Sequence, residues 1–108
     1  IRNLVLNGDP ARWDAMTEAL LMFAARRDNV ERSIKPALAA KKWVICDRFT
    51  DSTYAYQGAG HGLARETLRR METLVLDDFR PALTLILDLP GEAGVQRRVI
   101  GPVVRLAY

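Results

Sequence analysis

The sequence predicts an α/β fold in which helices flank a parallel sheet. Two short apolar runs, at residues 43–46 and 83–89, are continuous rather than alternating, as expected for parallel strands that are covered on both faces. The segment from about residue 63 to 76 lies between them and has the apolar spacing of an amphipathic helix. Strand, loop, helix and strand then form one right-handed crossover unit.

A longer helix is predicted before the first strand. From Trp13 to Ile34, apolar side chains recur at spacings of three, four or seven residues. Asp9 and Pro10 are suitable as its N-cap and first helical residue. We expect a bend or a restart near Pro36, because proline cannot donate a hydrogen bond to the preceding turn.

The composition is that of one ordinary globular domain. With 49% apolar and 27% charged residues, the chain of 108 residues is neither fibrous nor disordered. Its 16 basic and 13 acidic residues form no run of like charge, so we expect no nucleic acid polymer as a partner. No apolar segment approaches the roughly 20 residues that cross a bilayer, and the single Cys46 excludes an internal disulfide. These observations predict a cytoplasmic protein without a membrane partner.

Charged side chains follow both predicted strands, at the edge where open α/β sheets bind ligands. Asp47 and Arg48 end the first apolar run, and Asp88 lies near the end of the second. A carboxylate in this position can hold Mg²⁺ directly or through water, and a neighbouring arginine can bind phosphate. A salt bridge between Asp47 and Arg48 that ties the loop to the sheet explains the dipeptide equally well.

Polar side chains also fill the predicted loop at residues 47–62. Thr53 offers a hydroxyl, Tyr56 a ring with a polar tip, and Gln57 both a donor and an acceptor, which suit a pyrimidine base. Each of these residue types also commonly bonds its own backbone. The three spaced glycines lack the lysine and Ser/Thr ending of a phosphate-binding loop, and we interpret them, with His61, as a turn.

Two arginines lie on the otherwise apolar first helix. At about 100° per residue, Arg27 falls near the centre of the stripe that contains Leu20, Phe23 and Val30, whereas Arg26 lies on its flank. An arginine on such a stripe needs a hydrogen-bonding partner, in the protein or in a ligand, unless it extends to the surface. The spacing does not decide between the two arginines.

Several motifs together resemble bacterial thymidylate kinases. They are Ile-Lys-Pro-Ala-Leu at 34–38, Trp-Val-Ile-Cys-Asp-Arg-Phe at 43–49, Ser-Thr at 52–53, Ala-Tyr-Gln-Gly at 55–58, Asp-Phe-Arg-Pro at 78–81, Leu-Thr-Leu at 83–85 and Leu-Asp at 87–88. The resemblance runs from about residue 1 to 99. It implies that residues 1–108 are the central part of a single domain with a partial P-loop kinase fold, in which residues 100–108 match no family segment.

The resemblance implies an enzyme of dTTP biosynthesis that transfers the γ-phosphoryl group of ATP to dTMP, with Mg²⁺ as cofactor, and forms dTDP. Arg48 is implied to contact the phosphates, and Asp47 to lie close to the magnesium ion, which it holds through water. Thr53 and Gln57 are implied to face the base and sugar, and Tyr56 to pack against the deoxyribose.

The resemblance also implies a base-stacking phenylalanine and, four residues later, an arginine that bonds the thymine edge. Counting back from residues 34–36 assigns Arg26 to the second role and Met22 to the first, although Phe23 is adjacent and would pair with Arg27. We favour Arg26. Arg2 matches an arginine that also reaches the substrate.

The ATP-binding loop and the lid of the family match no segment of this chain. We therefore expect these 108 residues alone to be inactive, and the family leads us to expect a homodimer of the complete protein. Two alternatives remain open. One is a nucleotide-binding fragment or degenerate homologue without catalysis, and the other is a P-loop kinase with a different phosphate acceptor.

Overall fold

A computed structural model describes Leu4 and residues 12–87 of the chain. The helical elements within these residues are α1 (Ala15–Asn29), a π-helical segment (Val30–Ile34), α2 (Lys35–Ala39), α3 (Thr50–Thr53), a second π-helical segment (Tyr54–Gly60) and α4 (Arg65–Leu76). Because α3 runs directly into the second π-helical segment, we call the two together the 50–60 helix. None of the helices in these residues is long and apolar enough to cross a membrane.

Helix α1 begins with a side-chain cap. The Asp14 carboxylate accepts hydrogen bonds from the backbone N–H groups of Met16 and Thr17, at 2.9 and 3.0 Å, and these donors lack partners within the helix. The Thr17 hydroxyl donates to the same carboxylate at 2.6 Å. Asp9 and Pro10, predicted as the helix start, lie outside the described residues.

The predicted bend or restart near Pro36 appears as a change of helix type. The π-helical segment passes directly into α2 between Ile34 and Lys35, which both have right-handed helical backbone angles, so the chain stays helical through Pro36 while its hydrogen-bond pattern changes. Helix α2 then stops in a Schellman motif. Lys41 has a φ of 58° and donates its N–H to the Leu38 carbonyl, while Lys42 donates to the Ala37 carbonyl.

The segment predicted as a loop after residue 47 contains the 50–60 helix. Two of its glycines have a structural reason. A Cβ on Gly58 would lie 3.1 Å from Leu68 Cδ1, so the missing side chain lets this helix approach α4 closely. Gly62 turns the chain between the two helices with a φ of 75°, a conformation that favours glycine.

Two clusters of buried side chains hold these elements together. Ala19 and Phe23 of α1 pack with Leu68 of α4, and Tyr54 lies against this cluster. The second cluster joins the π-helical segment and α4 to the chain before the 50–60 helix; its buried members are Val30, Ile34, Phe49 and Leu76. The 50–60 helix is therefore positioned by α1 on one side and α4 on another.

The predicted parallel sheet is wrong for the residues that the structure describes, which contain no β-strand. Residues 42–46 and 83–87 are irregular, although 84–87 line a small cavity with residues 47–49. No backbone hydrogen bonds join the two segments within the described part, and a strand exists only through such a ladder. The predicted burial on both faces is also wrong, because Trp43 is 98% and Ile86 79% exposed.

Candidate functional site

Arg26 joins α1 to the start of the 50–60 helix. Its guanidinium donates to the Phe49 carbonyl at 2.7 Å and to the Thr53 hydroxyl at 2.9 Å. It also lies 5.6 Å from the ring centre of Phe23 and 5.4 Å from that of Phe49, within cation–π range. Arg26 is only 9% exposed and Thr53 is fully buried, so these contacts are made away from water, where hydrogen bonds are stronger.

A second polar contact joins the same two helices one turn further along. Gln57, which is 4% exposed, donates its Nε2–H to Oε1 of Glu18 on α1 at 2.5 Å. The other carboxylate oxygen of Glu18 lies 3.9 Å from Nδ1 of His61. Arg26 and Glu18 therefore bind the 50–60 helix to α1 at two points.

Arg48 and Tyr56 form an exposed pair beside this buried network. The Arg48 guanidinium lies 5.4 Å from the centre of the Tyr56 ring, and both residues are exposed. Arg48 has a φ of 67°, a left-handed conformation that is unfavourable for a side chain other than glycine and that clusters at ligand sites. The Arg48 guanidinium could bind an anionic group of a ligand, and the Tyr56 ring could pack against a ring of the same ligand.

Asp47 and Arg48 form no salt bridge with each other in the described residues. The Asp47 carboxylate is exposed and makes no hydrogen bond within them, and no group of three or more His, Cys, Asp or Glu there could hold a metal ion. Magnesium in phosphoryl-transfer sites takes one or two carboxylates and completes its shell with water and phosphate oxygens. Asp47 fits as one such ligand.

A polar cluster also lies on the α4 side of the 50–60 helix. The Tyr54 hydroxyl donates to Oε2 of the buried Glu72 at 2.6 Å, and Oε1 of Glu72 lies 3.9 Å from the Arg80 guanidinium. Burial, together with the hydrogen bond and negative charge of Glu72, raises the pKa of Tyr54 to about 12. These three side chains line an open cleft of about 950 Å³.

Replacing Tyr54 with phenylalanine is expected to destabilise the protein by about 1–2 kcal/mol at neutral pH, because Glu72 loses its hydrogen bond while it stays buried. The folded protein holds the Tyr54 proton more tightly than the unfolded chain. This contribution to stability is therefore complete below pH 10 and declines as the pH rises from 10 to about 12.

Thermal unfolding from pH 8 to 12 checks this prediction. The difference in Tm between the unaltered protein and Tyr54→Phe should shrink above pH 10, and Tyr56→Phe, at an exposed position, serves as the control. A difference that stays constant up to pH 12 would contradict the raised pKa.

Comparison with known proteins identifies the family. The family model described as thymidylate kinase matches residues 1–100. The chain belongs to the thymidylate kinase family. It is 55% identical over 97 residues to the thymidylate kinase of Caulobacter vibrioides and 53% identical over 97 residues to that of Ruegeria pomeroyi. Each alignment covers 90% of this chain, but only 47% and 46% of those two proteins.

A solved structure supports the same family. The structure resembles the crystal structure of thymidylate kinase from Ehrlichia chaffeensis with a TM-score of 0.74 and 40% sequence identity, over 89% of this chain and 53% of the other. The chain thus spans about half the length of the thymidylate kinases that it matches.

In this thymidylate kinase family member, the predicted site residues fall into separate groups. Arg26 and Thr53 are in direct contact, and Gln57 lies on the same helix as Thr53. Arg48 and Tyr56 are adjacent at the surface, next to the exposed Asp47. Phe23 is buried beside Arg26 and Met22 is partly buried, whereas Arg2 and Asp88 lie outside the described residues.

The periodicity placed the wrong arginine at the centre of the buried stripe. Arg27 is exposed and donates to the Val75 carbonyl at 2.9 Å, whereas Arg26 is buried. The buried residues of α1 are Ala19, Phe23 and Arg26, and Leu20 is 53% exposed. The neighbouring elements pack against a face that shares Phe23 with the most apolar one but is rotated from it by roughly 50°, towards Ala19 and Arg26.

Sequence reasoning missed three residues around the candidate site. Glu18 and Glu72 are charged residues that the sequence did not single out, yet Glu72 is 7% exposed and the Glu18 side chain 19%. Phe49 was read only as part of a motif, yet it is buried against Arg26. Periodicity gave no signal for Glu18, because at about 100° per residue it lies roughly 140° from Phe23 and so away from the apolar stripe of α1.

Proposed function

We propose that the complete protein is a nucleotide kinase that transfers the γ-phosphoryl group of ATP to dTMP and forms dTDP. The observation that carries the proposal is the exposed Arg48–Tyr56 pair beside the buried Arg26–Thr53 contact, in a chain of the thymidylate kinase family. Around the 50–60 helix, this arrangement offers the Arg48 cation for phosphate, the Tyr56 ring for a sugar, and buried polar groups for a base.

The proposed role of Arg48 is to bind the phosphate of dTMP. Its planar guanidinium can form two parallel hydrogen bonds with phosphate oxygens, and no ion pair in the described residues competes for it. Phosphoryl transfer depends mainly on positioning and on neutralising the charge of the equatorial oxygens. Arg48 supplies both, since it fixes the acceptor and lowers the repulsion between two phosphate groups.

The proposed roles of the other residues concern the nucleoside. Tyr56 packs against the deoxyribose, and Arg26, Thr53 and Gln57 face the base, with Phe23 or Met22 beside it. Support comes from burial, because Arg26, Thr53 and Gln57 are each at most 9% exposed. A site made of buried polar groups discriminates strongly against a ligand that leaves them unpaired.

ATP and Mg²⁺ are the proposed cofactors of the reaction. The proposed part of Asp47 is to bind the magnesium ion through water, and its exposed carboxylate is available for this. Magnesium would neutralise charge on the phosphates of ATP. We further propose that residues 1–99 belong to a single domain and that the protein acts in the cytoplasm as a homodimer.

The test is an assay of the purified complete gene product with Mg-ATP and, separately, dTMP, dUMP and CMP. Release of ADP and formation of dTDP are followed by coupled assay and chromatography, and affinities by calorimetric titration. We expect the highest kcat/KM with dTMP. A preference for CMP would overturn the assignment of the acceptor, and tight binding of dTMP without dTDP formation would identify a nucleotide-binding protein instead of a kinase.

A further inference from the structure

Glu18 is an acidic residue that has no assigned role in the proposed nucleotide site. It lies in the first turn of α1, and its side chain is only 19% exposed. In the described residues its carboxylate contacts Gln57 Nε2 at 2.5 Å and His61 Nδ1 at 3.9 Å. Gln57 is separated from it by 39 residues along the chain, so the fold alone brings the two together.

The chemistry of this contact determines the orientation of the Gln57 amide. An ionised carboxylate can only accept hydrogen bonds, whereas an amide has a donating NH₂ and an accepting oxygen. Turning the amide over would place two acceptors against each other in a buried position, at a cost greater than that of losing one hydrogen bond. Glu18 therefore holds Nε2 towards α1 and Oε1 away from it.

The oriented amide leaves an acceptor for a ligand. In the described residues Oε1 of Gln57 accepts no hydrogen bond, although the residue is only 4% exposed. Buried polar atoms normally have a partner. A carbonyl oxygen can accept the N3–H of thymine or uracil, whereas N3 of cytosine carries no hydrogen and would face it as a second acceptor.

We propose that Glu18 is a positioning residue that sets base specificity through Gln57. By fixing Oε1 as the free end of the amide, it favours pyrimidines with an N3–H over cytosine. This inference rests on the proposed function, because it takes Gln57 as a group that faces the base. Glu18 then contributes to base specificity from α1 without touching the nucleotide.

The test compares Glu18→Gln with the unaltered complete gene product. Glutamine has nearly the same shape but offers both a donor and an acceptor, so the Gln57 amide can take either orientation. We expect the ratio of the CMP and dTMP dissociation constants to fall about tenfold, as for one lost discriminating hydrogen bond, with the Tm almost unchanged. His61→Asn removes the other neighbour of Glu18 and should leave the ratio unchanged.

A charge exchange tests the contact itself. Gln57→Glu sets two carboxylates against each other and should lower the Tm, whereas Glu18→Gln combined with Gln57→Glu restores a donor facing an acceptor and should recover it. A double variant no more stable than Gln57→Glu would overturn the contact. Normal dTMP preference in Glu18→Gln would overturn the inference alone, while no dTMP binding by the unaltered protein would overturn the proposed function and the inference with it.

Discussion

Replacing Arg48 with alanine is expected to lower kcat/KM for dTMP by about thirtyfold or more, equivalent to about 2 kcal/mol of transition-state stabilisation. The reason is the loss of a charge-assisted hydrogen bond to phosphate, the strongest class of hydrogen bond in a binding site. Little loss of stability should accompany it, because Arg48 is exposed and, within the described residues, its guanidinium contacts only the Tyr56 ring, at 5.4 Å from the ring centre. Steady-state kinetics with saturating Mg-ATP measures the effect.

A matched control for Arg48→Ala is Arg32→Ala. Arg32 is also exposed, forms its one ion pair within the described residues with Asp28 at 2.7 Å, one turn earlier, and lies outside the candidate site. Its removal should leave kcat/KM within about twofold of the unaltered value, since exposed ion pairs contribute little. If both variants kept full turnover and full dTMP affinity, Arg48 would have no part in binding phosphate.

Replacing Arg26 with methionine is expected to destabilise the protein by about 3 kcal/mol and to abolish measurable binding of dTMP. Methionine fills similar space but donates no hydrogen bond, so the bonds from Arg26 to the buried Thr53 hydroxyl and to the Phe49 carbonyl are both lost. The 50–60 helix, which carries Thr53 and Gln57, loses one of its two polar attachments to α1. Urea unfolding and calorimetric titration measure the two effects.

The adjacent Arg27 provides the control for this experiment. It is exposed, and it bonds the Val75 carbonyl at 2.9 Å and Glu31 at 3.1 Å. Arg27→Met should cost at most about 1 kcal/mol, because water can replace the lost donor at the surface. Larger losses of stability and dTMP affinity in Arg27→Met than in Arg26→Met would reverse the assignment of these two arginines.

Local sequence features predicted the amphipathic helices of the described residues but not the helix at residues 50–60. The helix ending at Leu76 and the change in the helix near Pro36 were both predicted, because amphipathic spacing and proline act over one or two turns. The 50–60 helix was taken for a loop, since its glycines and hydroxyl residues have low helix propensity. Its packing against α1 and α4 overrides that preference.

The candidate site was only partly accessible to prediction. Resemblance to a family placed Arg48, Thr53, Tyr56 and Gln57 in one segment and favoured Arg26 over Arg27, but these roles are still proposals. The mutual contacts of the residues were not predicted. Arg26 and Thr53 are 27 residues apart, and no local pattern indicates that one bonds the other. Glu18 and Glu72 were missed because charged residues on helices are usually solvated.

The sequence by itself determined the family, the amphipathic helix that ends at Leu76 and the order of polar residues after residue 46, because these depend on residue identity and short-range spacing. Only the tertiary structure decided that Arg26 is buried and Arg27 exposed, that Glu18 meets Gln57, and that residues 42–46 and 83–87 form no ladder in the described part of the chain. The physical reason is that burial and hydrogen-bond partners depend on which distant surfaces meet. A small rotation of a helix about its axis changes which of its side chains are buried, and an extended segment without a neighbouring strand forms no ladder. Neither change alters the local sequence pattern.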